Sequence, residues 1–223
     1  MSRQYGTIFD MDGVLIDSFD LHRRSWQTMA REYGVEVTDE QFASTFGRTS
    51  REIIRHFWGE NVMPQKTREM DDRKEALFRQ FLRRHIPVMP GAVELIDDLA
   101  AHGFLVGVGS SGPPENVAMV VDGLGLRDRL AGVITATDVT RGKPDPQVFL
   151  LTAERMGIAP DRCAVIEDAV HGITAARRAG MKAVALTGTA GREAFGEADL
   201  IVDSLTELTA ARLADLIDGR GRP

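Results

Sequence analysis

Thr7-Ile8-Phe9-Asp10-Met11-Asp12-Gly13-Val14 is the stretch on which the fold turns. An apolar strand ends by presenting two carboxylates one residue apart, followed by a glycine that allows a tight turn. Side chains alternate faces along a strand, so Asp10 and Asp12 share a face for as long as strand geometry lasts. Neighbouring acids repel, which disfavours ionising both unless a cation or a shared proton compensates. A hard divalent metal is the natural third member of such a group. Aspartate also starts ordinary turns, so the pair alone leaves a plain turn as the alternative, and the rest of the chain has to decide.

Outward from this stretch, short apolar runs fall at 4–10, 104–110, 132–136, 163–167, 182–187 and 199–202. They are nearly continuous in apolar character, as expected of strands covered on both faces. Amphipathic segments near 91–102, 114–123, 145–156, 169–179 and 204–218 lie between them. Gly103, Gly157 and Gly180 stand where helices would end, and Ser204-Leu205-Thr206-Glu207 has the form of a capping box opening the last helix. Strand alternating with helix predicts right-handed βαβ units and a parallel sheet. The fold class expected is therefore α/β, with a doubly wound, Rossmann-like core.

Residues from about 17 to 86 break this rhythm, showing helical patterns near 19–33, 38–45, 50–58 and 65–85 and no convincing strand. The return stretch His85-Ile86-Pro87-Val88-Met89-Pro90-Gly91 has the prolines and glycine of a boundary. The predicted organisation is a core of 1–16 and 87–223 with a helical domain, 17–86, inserted after the first strand. Hinges are expected near 15–18 and 86–90.

Composition narrows the function classes. A net charge of -6 gives no reason to expect nucleic acid, and 43% hydrophobic with 27% charged residues is ordinary for a globular protein. The single cysteine, Cys163, rules out an intrachain disulfide and sits in an apolar run, where it reads as a buried small hydrophobe. No apolar stretch approaches the ~20 residues of a membrane span, and the start of the chain has no signal pattern. A cytoplasmic monomer or weak dimer, binding neither membrane nor nucleic acid, is the expectation.

In a doubly wound sheet, ligands bind beyond the carboxyl ends of the strands. The first strand delivers Asp10 and Asp12 there, the second Ser110, Ser111 and Gly112, and the fourth Glu167 and Asp168. The segment after the third contributes Gly142-Lys143-Pro144-Asp145-Pro146. Ser110 and Ser111 alone suit helix capping, and Lys143 alone suits a solvated loop. Lysine, however, is sparingly used here, at positions 66, 74, 143 and 182 among 27 basic side chains. Adjacent acids closing a wholly apolar strand are uncomfortable without a cation. Together the parts describe phosphoryl transfer. Aspartate can form an aspartyl-phosphate, a metal offsets the repulsion between carboxylate and phosphate, a lysine and a hydroxyl hold the equatorial oxygens, and a second carboxylate moves protons.

Asp10-Met11-Asp12-Gly13-Val14, Ser110, Lys143 in Gly-Lys-Pro-Asp-Pro, and Glu167-Asp168-Ala169 resemble, in order and spacing, the four motifs of the haloacid dehalogenase superfamily. The resemblance covers essentially the whole chain, and the helical insertion is similar to that superfamily's small cap. It implies Asp10 as nucleophile and Mg²⁺ ligand, and Asp12 as general acid/base that also binds Mg²⁺ through its backbone carbonyl. It further implies Ser110 and Lys143 as phosphoryl holders with the Ser111 backbone nearby. Asp168 would bind Mg²⁺, and Glu167 would do so directly or through water. The presence of Asp12 argues against dehalogenation, which needs neither that acid/base nor Mg²⁺.

The function expected is a Mg²⁺-dependent phosphatase of a small phosphorylated metabolite such as a sugar phosphate. The alternative is a β-phosphoglucomutase-like enzyme that returns the phosphoryl group to a sugar hydroxyl. His22, Arg51 in Thr49-Ser50-Arg51-Glu52, and Lys74 resemble the mutase cap pattern, although Gly47-Arg48-Thr49-Ser50 before Arg51 and Ile53-Ile54 after it depart from that pattern. A phosphometabolite-binding protein without catalysis is the third reading, opposed by the presence of both Asp10 and Asp12.

Overall fold

The computed structural model describes residues 4–45 and 48–220, so Gly47 and the chain ends fall outside the described residues. Two compact units form, Met1–Asp17 with Val88–Pro223, and Ser18–Pro87. The boundaries lie one residue beyond those expected from the sequence pattern.

The first unit is built on six parallel strands in the order β3-β2-β1-β4-β5-β6. They are β1 (Gly6–Phe9), β2 (Leu105–Gly109), β3 (Gly132–Ile134), β4 (Cys163–Glu167), β5 (Lys182–Leu186) and β6 (Leu200–Val202). β1 and β4 are buried along their whole length, which is why their residues read as unbroken apolar runs. Helices α5 (Ala92–Ala101), α6 (Pro114–Gly123), α7 (Gln147–Met156), α8 (Val170–Arg178) and α9 (Ala210–Ile217) connect the strands or close the unit. One core layer packs Phe149, Ala153 and Met156 of α7 and Ile173 and Ala176 of α8 onto Ile8, Val165 and Ala183 of the sheet. Burying a side chain such as Phe149 contributes about 1.5–3 kcal/mol. The α/β class and parallel topology agree with the sequence pattern.

One element differs. The helix expected over 204–218 is divided. Ser204 does form its capping box with Glu207, but this closes only a 3₁₀ turn over Leu205–Glu207. Thr209 then returns to extended backbone and caps α9, accepting a hydrogen bond from the Arg212 N–H. Asp98 on α5 fixes the restart by accepting from the Ala210 N–H at 2.7 Å. A tertiary contact thus overrides a local capping signal.

The segments that lead out of and back into this unit run side by side. Ile16 pairs with Val88 in an antiparallel bridge, and the Met89 N–H donates to the Leu15 carbonyl at 2.9 Å.

Among its described residues the second unit has four α-helices joined by turns and loops, α1 (Phe19–Glu32), α2 (Asp39–Ala43), α3 (Ser50–Trp58) and α4 (Pro64–Leu82). Capping boxes Thr38/Gln41 and Thr49/Glu52 start α2 and α3. Trp26, Met29, Phe42, Ile53, Ile54, Met70 and Leu77 form a separate core.

Candidate active site

Strand register assembles the site. Phe9 lies beside Ile166 on β4 and Val108 on β2, so the next residue of each strand, Asp10, Glu167 and Gly109, reaches the carboxyl edge together. The Asp10 N–H still donates to the Ile166 carbonyl at 3.0 Å, which holds its backbone against β4 beyond the last strand residue. Asp10, Glu167 and Asp168 are all buried, and one carboxylate oxygen of each lies within 4.8 Å of the others. The Lys143 ammonium bridges two of them, donating to Asp10 Oδ1 at 2.7 Å and to Glu167 Oε1 at 2.5 Å. Four of the residues singled out in the sequence are thereby in one group.

The strand geometry on which a shared face for Asp10 and Asp12 depends ends before either residue. β1 stops at Phe9, and the Met11 carbonyl accepts from the Leu15 and Ile16 N–H groups at 2.9 and 3.2 Å, so the chain turns straight after Asp10. Gly13 takes φ 73° in that turn, and a Cβ there would run into the Asp168 carboxylate. Asp12 is half-buried on the turn and outside the three-carboxylate group.

The lysine loop is held from several directions. Gln147, at the start of α7, uses its side-chain carbonyl to accept from the backbone N–H groups of Thr140 and Arg141 at 2.9 and 3.0 Å. Asp145 Oδ1 accepts from the Gln147 N–H at 3.0 Å. Arg178 donates to the Pro144 carbonyl at 3.1 Å, and the Lys143-Pro144 peptide is cis. The Lys143 ammonium also lies 4.8 Å from the centre of the Phe149 ring.

Ser110 is buried, and its N–H donates to the Ile134 carbonyl at 3.0 Å. Its Oγ accepts from the Gly112 N–H at 2.9 Å, which leaves the hydroxyl proton to donate elsewhere. Ser111 is exposed. In the helical unit, Lys74 is buried; its ammonium lies 3.0 Å from His22 Nδ1 and donates to Glu75 Oε1 at 2.7 Å. The His22 ring stacks on Phe78 at 4.4 Å between centres. Arg51 is exposed on the first turn of α3 and is no part of that group.

The electrostatics follow from crowding acids in a dry place. Burial raises the Asp10 pKa well above the usual carboxylate range; Lys143 opposes this, while Glu167, Asp168 and Asp12 add to it. Burial, then the Glu167 charge, pushes Asp168 up to about 7. Burial alone would lower the Lys143 pKa, but Asp10 and Glu167 overcome it and keep the ammonium charged. Cys163, buried and pushed up to about 12, is no nucleophile. The acids outnumber the one ammonium, so three convergent oxygens fit a hard divalent cation.

A stability prediction arises here. A carboxyl whose pKa is raised by folding binds protons that the unfolded chain has released, so stability falls as pH rises. For Asp168 that window runs from about 4, the unfolded value, to about 7. Metal-free protein is expected to lose thermal stability across this window. Saturating Mg²⁺ at neutral pH should restore it, by about 2.7 kcal/mol at a hundredfold excess over Kd. Differential scanning fluorimetry against pH, with and without Mg²⁺, checks both halves.

Sequence reasoning missed Thr189. It follows β5 and donates its hydroxyl to Asp168 Oδ2. It also missed Gly172, where a Cβ would strike the Glu167 carboxylate. The available signal for Thr189 was its position just past the carboxyl end of an apolar strand, at the same edge as the acids.

The parallel sheet thus carries an aspartate, a lysine and an acidic pair together at its carboxyl edge, where α/β folds bind their ligands. Residues 7–186 match the family of haloacid dehalogenase-like hydrolases, and the chain belongs to that family as an enzyme. It is 34% identical over 207 residues to the validoxylamine A 7'-phosphate phosphatase of Streptomyces hygroscopicus subsp. limoneus, covering 90% of this chain and 94% of the relative. It is 30% identical over 209 residues to the β-phosphoglucomutase of Bacillus subtilis, covering 91% and 90%. Among solved structures, a family IA, variant 3 hydrolase of Entamoeba histolytica superposes with a TM-score of 0.88 at 24% identity, covering 96% of this chain and 99% of that one.

Proposed function

We propose that the protein is a Mg²⁺-dependent phosphatase of a small phosphorylated metabolite, of the sugar phosphate kind, working through an aspartyl-phosphate on Asp10. The observation that carries this reading is the buried group in which Lys143 bridges Asp10 and Glu167 beside Asp168. Asp10 needs its negative charge to attack phosphorus, and Lys143 is the group that favours that charge against burial. Asp12, on its turn, protonates the leaving alkoxide and then takes a proton from the attacking water. Lys143 and the Ser110 hydroxyl hold phosphoryl oxygens, with the Ser111 backbone beside them. Asp10 and Asp168 would provide side-chain ligands for Mg²⁺, Glu167 would do so directly or through water, and Asp12 would offer its backbone carbonyl. When bound, the metal neutralises the repulsion between the Asp10 carboxylate and the phosphate. The helical unit serves as the cap that selects substrate and excludes water.

The phosphatase relative at 34% identity supports hydrolysis. The expected result is release of phosphate from p-nitrophenyl phosphate and from acetyl phosphate that requires Mg²⁺ and stops in excess EDTA. Full activity in EDTA would sink the mechanism. The His22–Lys74 contact and the mutase relative support a second reading, transfer back to a sugar hydroxyl. A screen of phosphorylated sugars, scored for both free phosphate and isomers, decides. β-Glucose 1-phosphate with a bisphosphate primer would give glucose 6-phosphate only in the second case.

A further inference from the structure

The β5–β6 connection adds a residue to this site that the four motifs do not contain. We propose that Thr189 is a positioning residue for the cation site, orienting the Asp168 carboxylate through its hydroxyl; this rests on the metal-dependent reading above.

Asp168 is held by two elements distant in sequence. On one side stands Gly13, so close that a side chain there would overlap the carboxylate. On another, the Thr189 hydroxyl donates to Asp168 Oδ2. Asp168 is 6% exposed, so the bond is shielded on the side of its acceptor. The loop bearing Thr189 is itself anchored. The Thr187 N–H donates to the Val202 carbonyl at 2.9 Å, and the Thr187 hydroxyl to Asp203 Oδ1 at 2.7 Å.

A carboxylate rotates readily about its last bond, so an isolated Asp168 would present either oxygen, or both, toward Asp10 and Glu167. A donor fixed on Oδ2 removes that freedom and leaves one oxygen for a cation. Groups that orient a metal ligand in this way typically contribute 10–100-fold to metal affinity or activity. Threonine suits the task because its branched Cβ restricts χ1, so less entropy is lost in aiming the hydroxyl. Lys143 serves Glu167 and Asp10 in a comparable way, and among the described residues no ammonium or guanidinium is paired with Asp168.

The test measures binding of Mn²⁺, as a paramagnetic stand-in for Mg²⁺, by titration calorimetry and by electron paramagnetic resonance of the free ion. Thr189→Val keeps the shape and deletes the donor; Thr189→Ser keeps the donor. The expected result is about a tenfold weaker Kd for Thr189→Val, with Thr189→Ser close to the parent protein and melting temperatures unchanged without metal. Parent-like binding by Thr189→Val would overturn the assignment. Equal weakening in both variants would also overturn it, because the loop and not the hydroxyl would then matter. Absence of Mn²⁺ binding in the parent protein would instead strike the metal-dependent reading itself.

Discussion

Asp10→Asn is expected to reduce hydrolysis of p-nitrophenyl phosphate by about 10⁴-fold or more, the scale seen when a covalent nucleophile is removed. The amide has nearly the same shape but is a poor nucleophile, and it forms no acyl phosphate. The fold should tolerate it well. Asp10 is one of several acids packed around one ammonium, and burial already opposes its charge. Removing that charge relieves repulsion with Glu167 and Asp168, while Lys143 keeps Glu167 at 2.5 Å. Metal-free Asp10→Asn should therefore melt at or above the parent temperature at neutral pH. Rapid-quench experiments with a labelled phosphate ester should trap label on the parent protein and none on the variant. Parent-like turnover in Asp10→Asn would dismiss Asp10 as the nucleophile.

The second large effect is expected from Asp12→Asn. Its side chain lies on the turn after β1, outside the carboxylate group, so an amide there takes nothing from the side-chain ligands. Mn²⁺ affinity should change little, while turnover falls by about 10²–10⁴-fold, the usual contribution of a positioned acid/base. Leaving-group dependence separates this role from a structural one. p-Nitrophenolate departs without help, so phosphoenzyme formation from that ester should survive better than from an alkyl phosphate. Breakdown of the phosphoenzyme, which needs water deprotonated, should slow for both esters. Loss of metal binding in step with turnover would argue against this division of labour between the two aspartates.

The sheet was readable because its strands are buried on both faces. Cys163-Ala164-Val165-Ile166 can be little else than an interior strand, and its acidic end then points to the ligand edge. Lys143 was readable through scarcity, as one of few lysines in an arginine-rich chain. Three features escaped, each for its own reason. Alternation puts Asp10 and Asp12 on one face only while strand geometry lasts, and where the strand stops is not written locally: β1 ends at Phe9. The Ser204 capping box is real, yet it starts a single turn because Asp98, far away in sequence, claims the Ala210 N–H for a second start. Thr189 lies 21 residues from Asp168, and no local pattern records that pairing. Neighbour-to-neighbour rules see propensity and register; they do not see which distant donor orients a buried acid.

The paired linkers bear on how such an enzyme changes its diet. The chain leaves the core unit beside Ile16 and re-enters beside Val88, and those two residues are bridged to each other. Entry and exit at nearly the same point make the intervening segment an insertion outside the sheet, whose six strands all belong to the first unit. Selection can therefore lengthen, replace or rewrite that segment without renegotiating the fold around Asp10. A transplanted insertion from another phosphatase, joined at the same bridged pair, should leave the core able to fold and its chemistry intact while the preferred ester changes. On the proposed reading, in which the helical unit selects the ester, substrate range would be an exchangeable module with Leu15–Met89 and Ile16–Val88 as its socket.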